Sequence, residues 1–428
     1  MERWRKLKKK PAPMFTPKFG PLSGLRMISN GTIVAGPFAA TMFADFGAEV
    51  ICLERPKMPD PYRLQNPQIV GENGKSISGA WMQNARNKLS LALETNFRVP
   101  ESKEIFLSLV KNSDVWLENM VWIDKLGITN EELLEVNPRL VICNVNGFGR
   151  PAFGGLESEM ARASYDPIGQ SVSGYSNLQG FPDGPPLYAT QYIGDYVVAL
   201  FAFAGIMMAL REVQRTGKGQ IIENTQAEGM MRIMDDNWCL WDQIQYKKQR
   251  FGHKISFFQP GNVYPCKDGR YLNIGAFGEL VYNRFMEATG LSLEEYPYKT
   301  AAFGVEALAS EKGQELDRKI HEWCMSHTAQ ECSDILNSHR VGAGVCWDCE
   351  DVMGQEHWKQ RDCWVKYKDE TLEREVTAFG FCPKFSDTPG QIWRGAPTLG
   401  QDTEVILKQL LDYTDAEYEA LKGRGVID

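Results

Sequence analysis

No histidine occurs before residue 253: all five, His253, His321, His327, His339 and His357, lie in the distal part of this 428-residue chain. The N-terminal half therefore has no imidazole to act as base, and a Ser-His-Asp arrangement around Ser171 or Ser173 would have to borrow one from far along the chain. No apolar run reaches the ~20 residues that a bilayer span needs. Residues 1–10 carry Arg3, Arg5, Lys6, Lys8, Lys9 and Lys10 with no apolar segment behind them. That pattern does not read as a secretory signal, and a solvated arm is expected. These absences predict a cytoplasmic protein with no membrane contact. Internal repeats and low-complexity tracts are missing too. No G-x-G-x-x-G stands at the first strand-to-helix turn, which argues against a nicotinamide dinucleotide. Ten cysteines, from Cys52 to Cys382, show no disulfide framework. The lone C-x-x-C, Cys346 to Cys349, lacks the two further ligands a zinc site needs, so no metal is expected. A net charge of −8 argues against nucleic acid as a partner.

What is present reads as an ordinary globular composition, 43% hydrophobic and 24% charged, with enough chain for two domains or one elaborated one. Its central stretch is the apolar run 196–210, rich in Ala, Leu and Met, which predicts a fully buried helix. Asp195 stands at the start of that run, where orphan N–H groups and the helix dipole favour an ionised carboxylate. On this stretch alone Asp195 is either an N-cap or a nucleophile at the base of a cleft.

Residues 22–56 read as a βαβ opening: a strand at 25–28, a helix entered through Ala35-Gly36-Pro37 and stopped at Phe46-Gly47, and a strand at 48–53. Arg55 follows that second strand, either poised for a phosphate or paired with Glu54. A strand entered past Lys88, a helix at 101–112, a strand at 114–117, a helix at 130–136 and a strand at 140–145 continue the alternation. The fold class is α/β, doubly wound over the first third. Residues 151–191 read as a long irregular segment that delivers the chain to Asp195. Beyond Thr216-Gly217-Lys218-Gly219 come a strand at 220–223 and a helix from 226 to about 246. Met230, Met231, Met234, Trp238 and Trp241 on that helix read as a core stripe. Short strands around 262–266 and 270–274, with helices near 278–289, 304–326 and 328–337, suggest a small α+β domain. The last 80 residues return to strands and a final helix at 403–411.

Ala35-Gly36-Pro37, Phe46-Gly47-Ala48-Glu49-Val50-Ile51, Glu54-Arg55-Pro56, Asn87-Lys88, Glu118-Asn119, Gly194-Asp195, Thr216-Gly217-Lys218-Gly219-Gln220 and Arg394-Gly395-Ala396-Pro397-Thr398-Leu399-Gly400-Gln401-Asp402-Thr403 occur in that order. Together they resemble the family III coenzyme A transferases. The resemblance implies transfer of CoA from an acyl-CoA donor to a carboxylic acid acceptor, with no cofactor beyond CoA as substrate. It implies an interlocked homodimer, each chain having a Rossmann-like large domain built from both chain ends (1–235 and 350–428) and a small α+β domain with linkers (236–349). Asp195 matches the family's nucleophile, which would form an aspartyl anhydride and then an aspartyl-CoA thioester. The implied CoA contacts fall on Arg55, Lys88, Asn119 and Lys125. The chain departs from the family at Asn119-Met120-Val121-Trp122, where a cationic contact is missing, and at Asn146-Gly147-Phe148, Thr32 and Val34. The glycine-rich loop of the formyl-CoA branch is also absent.

The family includes 2-methylacyl-CoA racemases, which pair the aspartate with a histidine; here Ser164-Tyr165-Asp166 stands at that place, leaving a two-base shuttle without its partner. Pro17-Lys18-Phe19-Gly20-Pro21-Leu22, the segment 163–170 and the segment 389–395 are similar to the branch acting on carnitine, bile acids and 2-hydroxy acids. The expected acceptor is a small 2-hydroxy acid such as 2-hydroxy-4-methylpentanoate. Carnitine, served by an aromatic cage of Trp238, Trp241 and Tyr246, and a bile acid are the alternatives. A protein that binds acyl-CoA without turnover is a third.

Overall fold

The computed structural model describes residues 3–6, 12–120 and 123–428. Two compact units emerge: residues 1–175, 188–236 and 360–428 form the first, and residues 176–187 and 237–359 the second.

The first unit is built on six parallel strands: β1 (Arg26–Asn30), β2 (Glu49–Glu54), β3 (Leu89–Ala92), β4 (Val115–Glu118), β5 (Val141–Asn146) and β6 (Gln220–Thr225). Their order, β3-β2-β1-β4-β5-β6, is that of a doubly wound sheet. Alternate residues serve opposite faces. Met27, Val50, Val115 and Val141 join one core with helices α1 (Ala35–Asp45) and α2 (Ile193–Thr216). Ile28, Ile51, Trp116 and Ile142 join the other, with the helix Pro100–Lys111 and the C-terminal Ile406, Leu407 and Leu421. Burial on both faces explains the apolar runs Val50-Ile51-Cys52-Leu53 in β2 and Val115-Trp116-Leu117 in β4.

The far end of the chain covers the edge strand. Asp402 accepts from the Ser90 amide at 2.8 Å, Glu94 donates to the Val426 carbonyl at 2.8 Å, and Asn87 donates to the Gln391 carbonyl at 2.7 Å. Arg86, 1% exposed, pairs with Asp45 at 2.7 Å and donates to the Gly380 carbonyl at 2.9 Å. An edge that is bonded in this way is closed to foreign strands.

The second unit packs an antiparallel sheet, β7 (Gly261–Pro265), β8 (Tyr271–Gly275) and β9 (Gly342–Val345), against the helices Glu279–Thr289, Glu311–Met325 and Ala329–Ser338. Tyr264, Leu272, Ile274, Phe285, Ile320 and Leu336 form its core.

Several expectations are revised. The apolar helix runs 24 residues, Ile193–Thr216, and by length and composition is the one described helix able to cross a membrane. It is not fully buried: Val198, Ala202 and Ile206 face the sheet, whereas Leu200, Phe201 and Met208 are 48%, 39% and 69% exposed, because this chain covers only one side. The irregular segment contains helices, Glu157–Met160 and α3 (Asp166–Val172), the second begun by Pro167 in its first turn. The helix expected over 226–246 is α4 (Gln226–Arg232) followed by a break, with Asp235 at a φ of 53°, and then Asn237–Ile244. Met230 and Met234 are buried, but Trp238 and Trp241 are each 44% exposed and lie outside any core. The expected terminal helix is a short turn, Thr403–Val405, widening into Ile406–Leu410, and a further helix, Asp415–Gly423, follows it. Arg3 lies on Glu417 at 2.8 Å rather than in solvent. The remainder of the expected arm, residues 1–2 and 7–10, and the departure at Val121 and Trp122 lie outside the described residues.

Candidate active site

Asp195 is the third residue of α2, and the N-cap is Tyr192, in left-handed conformation with no side-chain cap. The cap comes from another helix. Asp166, at the start of α3, accepts from the amides of Gly194 at 2.7 Å and Asp195 at 3.3 Å. This close approach needs glycine at 194, where a Cβ would stand 3.0 Å from Asp166 Oδ1. Asp166 Oδ2 in turn accepts from Gln170 at 2.6 Å.

Asp195 is 8% exposed. Its Oδ1 accepts a short hydrogen bond from Gln226 Nε2, and Ser164 donates to Gln226 Oε1 at 2.5 Å. Burial, and then the charge of Asp166, push the Asp195 carboxyl up to about 6, while the Gln226 hydrogen bond pulls it down. The expectation that the helix start favours ionisation is thus reversed, because burial and then the charge of Asp166 outweigh it.

The implied CoA residues separate. Arg55 and Lys125 line one cavity of about 390 Å³ with Glu94, Asn96 and Arg98. Arg55 pairs with Glu94 at 3.5 Å and donates to Thr95 at 2.9 Å; Glu54 is taken by Arg63 instead. Asn119 lies at the switch point of the sheet, beyond β1 and β4, and clasps the Thr32 backbone through its oxygen at 2.8 Å and its nitrogen at 2.9 Å. Lys88 does not line the cavity. It is 1% exposed, and its ammonium donates to the carbonyls of Pro37 and Asn84 at 2.8 and 2.9 Å. Burial lowers its pKa, and it serves to tie α1 to the helix Gly79–Asn84.

The sequence reading missed Gln226, Asp166 and Gln170 as site residues, and Arg98 in the cavity. Asp166-Pro167 was a legible helix start, but nothing in its spacing says that it caps a helix 28 residues on. All ten cysteines are free, and no group of potential metal ligands is found among the described residues.

An open parallel sheet that presents a buried carboxylate, and a cationic cavity past its strand ends, suit an enzyme that handles anionic thioesters. The profile of CoA-transferase family III matches residues 22–403, and the chain belongs to that family. It is 33% identical to the bile acid CoA-transferase BaiK of Clostridium scindens over 96% of this chain and 90% of that protein. It is 31% identical to the succinyl-CoA–D-citramalate CoA-transferase of Chloroflexus aurantiacus over 95% and 98%, and 28% identical to the succinyl-CoA–L-malate CoA-transferase beta subunit of that organism over 95% and 98%. A CAIB/BAIF family protein from Brucella suis shares the fold at TM-score 0.78 and 24% identity, over 92% of this chain and 100% of that one. The protein is a CoA-transferase.

Proposed function

We propose that the enzyme moves CoA from an acyl-CoA donor to a small 2-hydroxy acid, such as 2-hydroxy-4-methylpentanoate, with Asp195 as nucleophile. Asp195 attacks the donor thioester; its new C–O bond replaces the C–S bond, and the electron pair leaves on the CoA thiolate. The thiolate then attacks the aspartyl carbonyl of the mixed anhydride, releasing the donor acid as carboxylate and leaving an aspartyl-CoA thioester. The acceptor carboxylate displaces the thiolate, and the thiolate takes the acceptor acyl group from Asp195. Keeping all the partners in one site contributes up to roughly 7–11 kcal/mol. The scheme uses no group beyond CoA itself.

The observation that carries the nucleophile is the buried Asp195 with one oxygen pinned by Gln226 and no hydrogen bond to Oδ2 among the described residues. Asp195→Ala or Asn tests it: exchange should vanish, and persistence at near-normal speed refutes the role. Hydroxylamine added during turnover should leave a hydroxamate on Asp195, whereas a mere acyl-CoA binder leaves it unmodified. A 2-methylacyl-CoA racemase would need a second base, and Asp166, already occupied by two amides, is poorly placed to be one.

The acceptor class is supported by the relatives named for D-citramalate and L-malate, both acids with a hydroxyl beside a carboxyl. The relative named for bile acids favours the second reading, a bile acid acceptor. The carnitine reading has less support: Trp238, Trp241 and Tyr246 are all exposed, and Lys247 already sits over Trp241 at 5.2 Å. A panel of 2-hydroxy acids, cholate and carnitine with one donor, read by mass spectrometry, separates the three.

For CoA, we assign Arg55, Lys125 and Arg98 to the phosphates, with Asn119 holding the Thr32 turn and Lys88 acting only by holding α1 in place. Arg98 is the third cation lining that cavity. The exposed apolar face of α2 supports an interlocked homodimer, and ten free thiols support the cytoplasm.

A further inference from the structure

Gln226 is the only described side chain that hydrogen-bonds the Asp195 carboxylate, and its orientation is fixed from behind. A carboxylate only accepts, so Gln226 presents Nε2 to Asp195, and Ser164 Oγ donates to the Oε1 behind it and anchors the amide in that orientation. Two glycines make room for this relay. A Cβ at Gly169 would stand 3.0 Å from the Gln226 Cβ, and one at Gly147 would stand 2.4 Å from the Ser164 Cβ. The hydrogen bond is to Oδ1, which leaves Oδ2 to form the covalent bond. Once Oδ2 is esterified, Oδ1 is the carbonyl oxygen of both the anhydride and the aspartyl thioester. It is also the atom that gathers negative charge when the thiolate or the acceptor carboxylate adds to the aspartyl carbon.

We propose that Gln226 is a catalytic residue that selects Oδ2 as the nucleophile and then stabilises the oxyanion on Oδ1 in each step where the aspartyl carbonyl is attacked. Addition moves an electron pair onto Oδ1. Collapse returns it and expels the donor acid in the first such step and the thiolate in the second, with no proton transferred. This role rests on Asp195 being the nucleophile.

Gln226→Met keeps the volume and removes the donor. Its kcat should fall about 100- to 1000-fold with the KM for acyl-CoA nearly unchanged. Gln226→Glu donates only when protonated, so its activity relative to wild type should recover as pH falls from about 8 to about 6. If Gln226→Met does not fold, Ser164→Ala, which frees the amide to rotate, should lower kcat about tenfold with KM again nearly unchanged. A kcat within about threefold of wild type in the folded variant, or a Gln226→Glu profile parallel to wild type, overturns the proposal. If Asp195→Asn retains exchange, the nucleophile reading itself falls. If Asp195→Asn is dead while Gln226→Met is unimpaired, only the role of Gln226 does.

Discussion

Asp195 is held where its charged form is disfavoured, and that has consequences for stability and for rate. Its ordinary value of 3.8 is pushed up to about 6 in the fold by burial and by Asp166. Below about pH 4 the group is protonated folded or unfolded and contributes no difference; above about pH 6 it is ionised in both, and the folded state carries the whole penalty. Asp195→Asn should therefore stabilise the protein at pH 8, by up to about 2–3 kcal/mol, and leave it unchanged at pH 4. Urea midpoints at the two pH values check this. Because only the carboxylate is a nucleophile, exchange should rise with pH along a limb centred near 6. Asp166→Asn removes a neighbouring negative charge and should move that limb to lower pH; a limb that stays in place would remove Asp166 from the electrostatics of the site.

At the scale of elements, the start of α2 is satisfied by a side chain from α3, and small residues let the pieces meet. Gly169→Ala sets a Cβ 3.0 Å from the Gln226 Cβ, so the relay to Asp195 must shift. A loss of at least tenfold in kcat, with the KM for CoA thioesters nearly unchanged, is the expected result of such a displacement. The junction between α1 and the C-terminal segment depends on a different buried group. Arg86→Met strips Asp45 of its guanidinium and leaves the Gly380 carbonyl without its donor. Breaking a buried pair in this way should cost about 3–5 kcal/mol, seen as a lower midpoint in chemical denaturation.

For the whole molecule, the side of α2 that carries Leu200, Phe201 and Met208 is an exposed apolar surface of the first unit. In a homodimer that covers it, Met208→Glu should shift sedimentation equilibrium to half the mass, while Asp195→Asn should not.

Much of this architecture was legible locally. Ala35-Gly36-Pro37 starts a helix and Gly47, at a φ of 97°, stops it; the strands 25–28, 48–53, 114–117 and 140–145 are displaced by one or two residues at most. The helix Asp415–Gly423 had a signal too, the capping box of Thr414 and Glu417, and was overlooked. Hydrophobic pattern and turn chemistry act over a few residues, which is why one sequence suffices to place strands, helices and Asp195 at a helix start. The partners of that aspartate are another matter. Asp166 reaches it across 29 residues, Gln226 across 31, and Ser164 reaches Gln226 across 62. Whether a lysine such as Lys88 faces a ligand or two carbonyls depends likewise on which elements pack around it. Those distances close only when the sheet assembles, so the chemistry of the carboxylate, unlike its position, was decided by the tertiary structure.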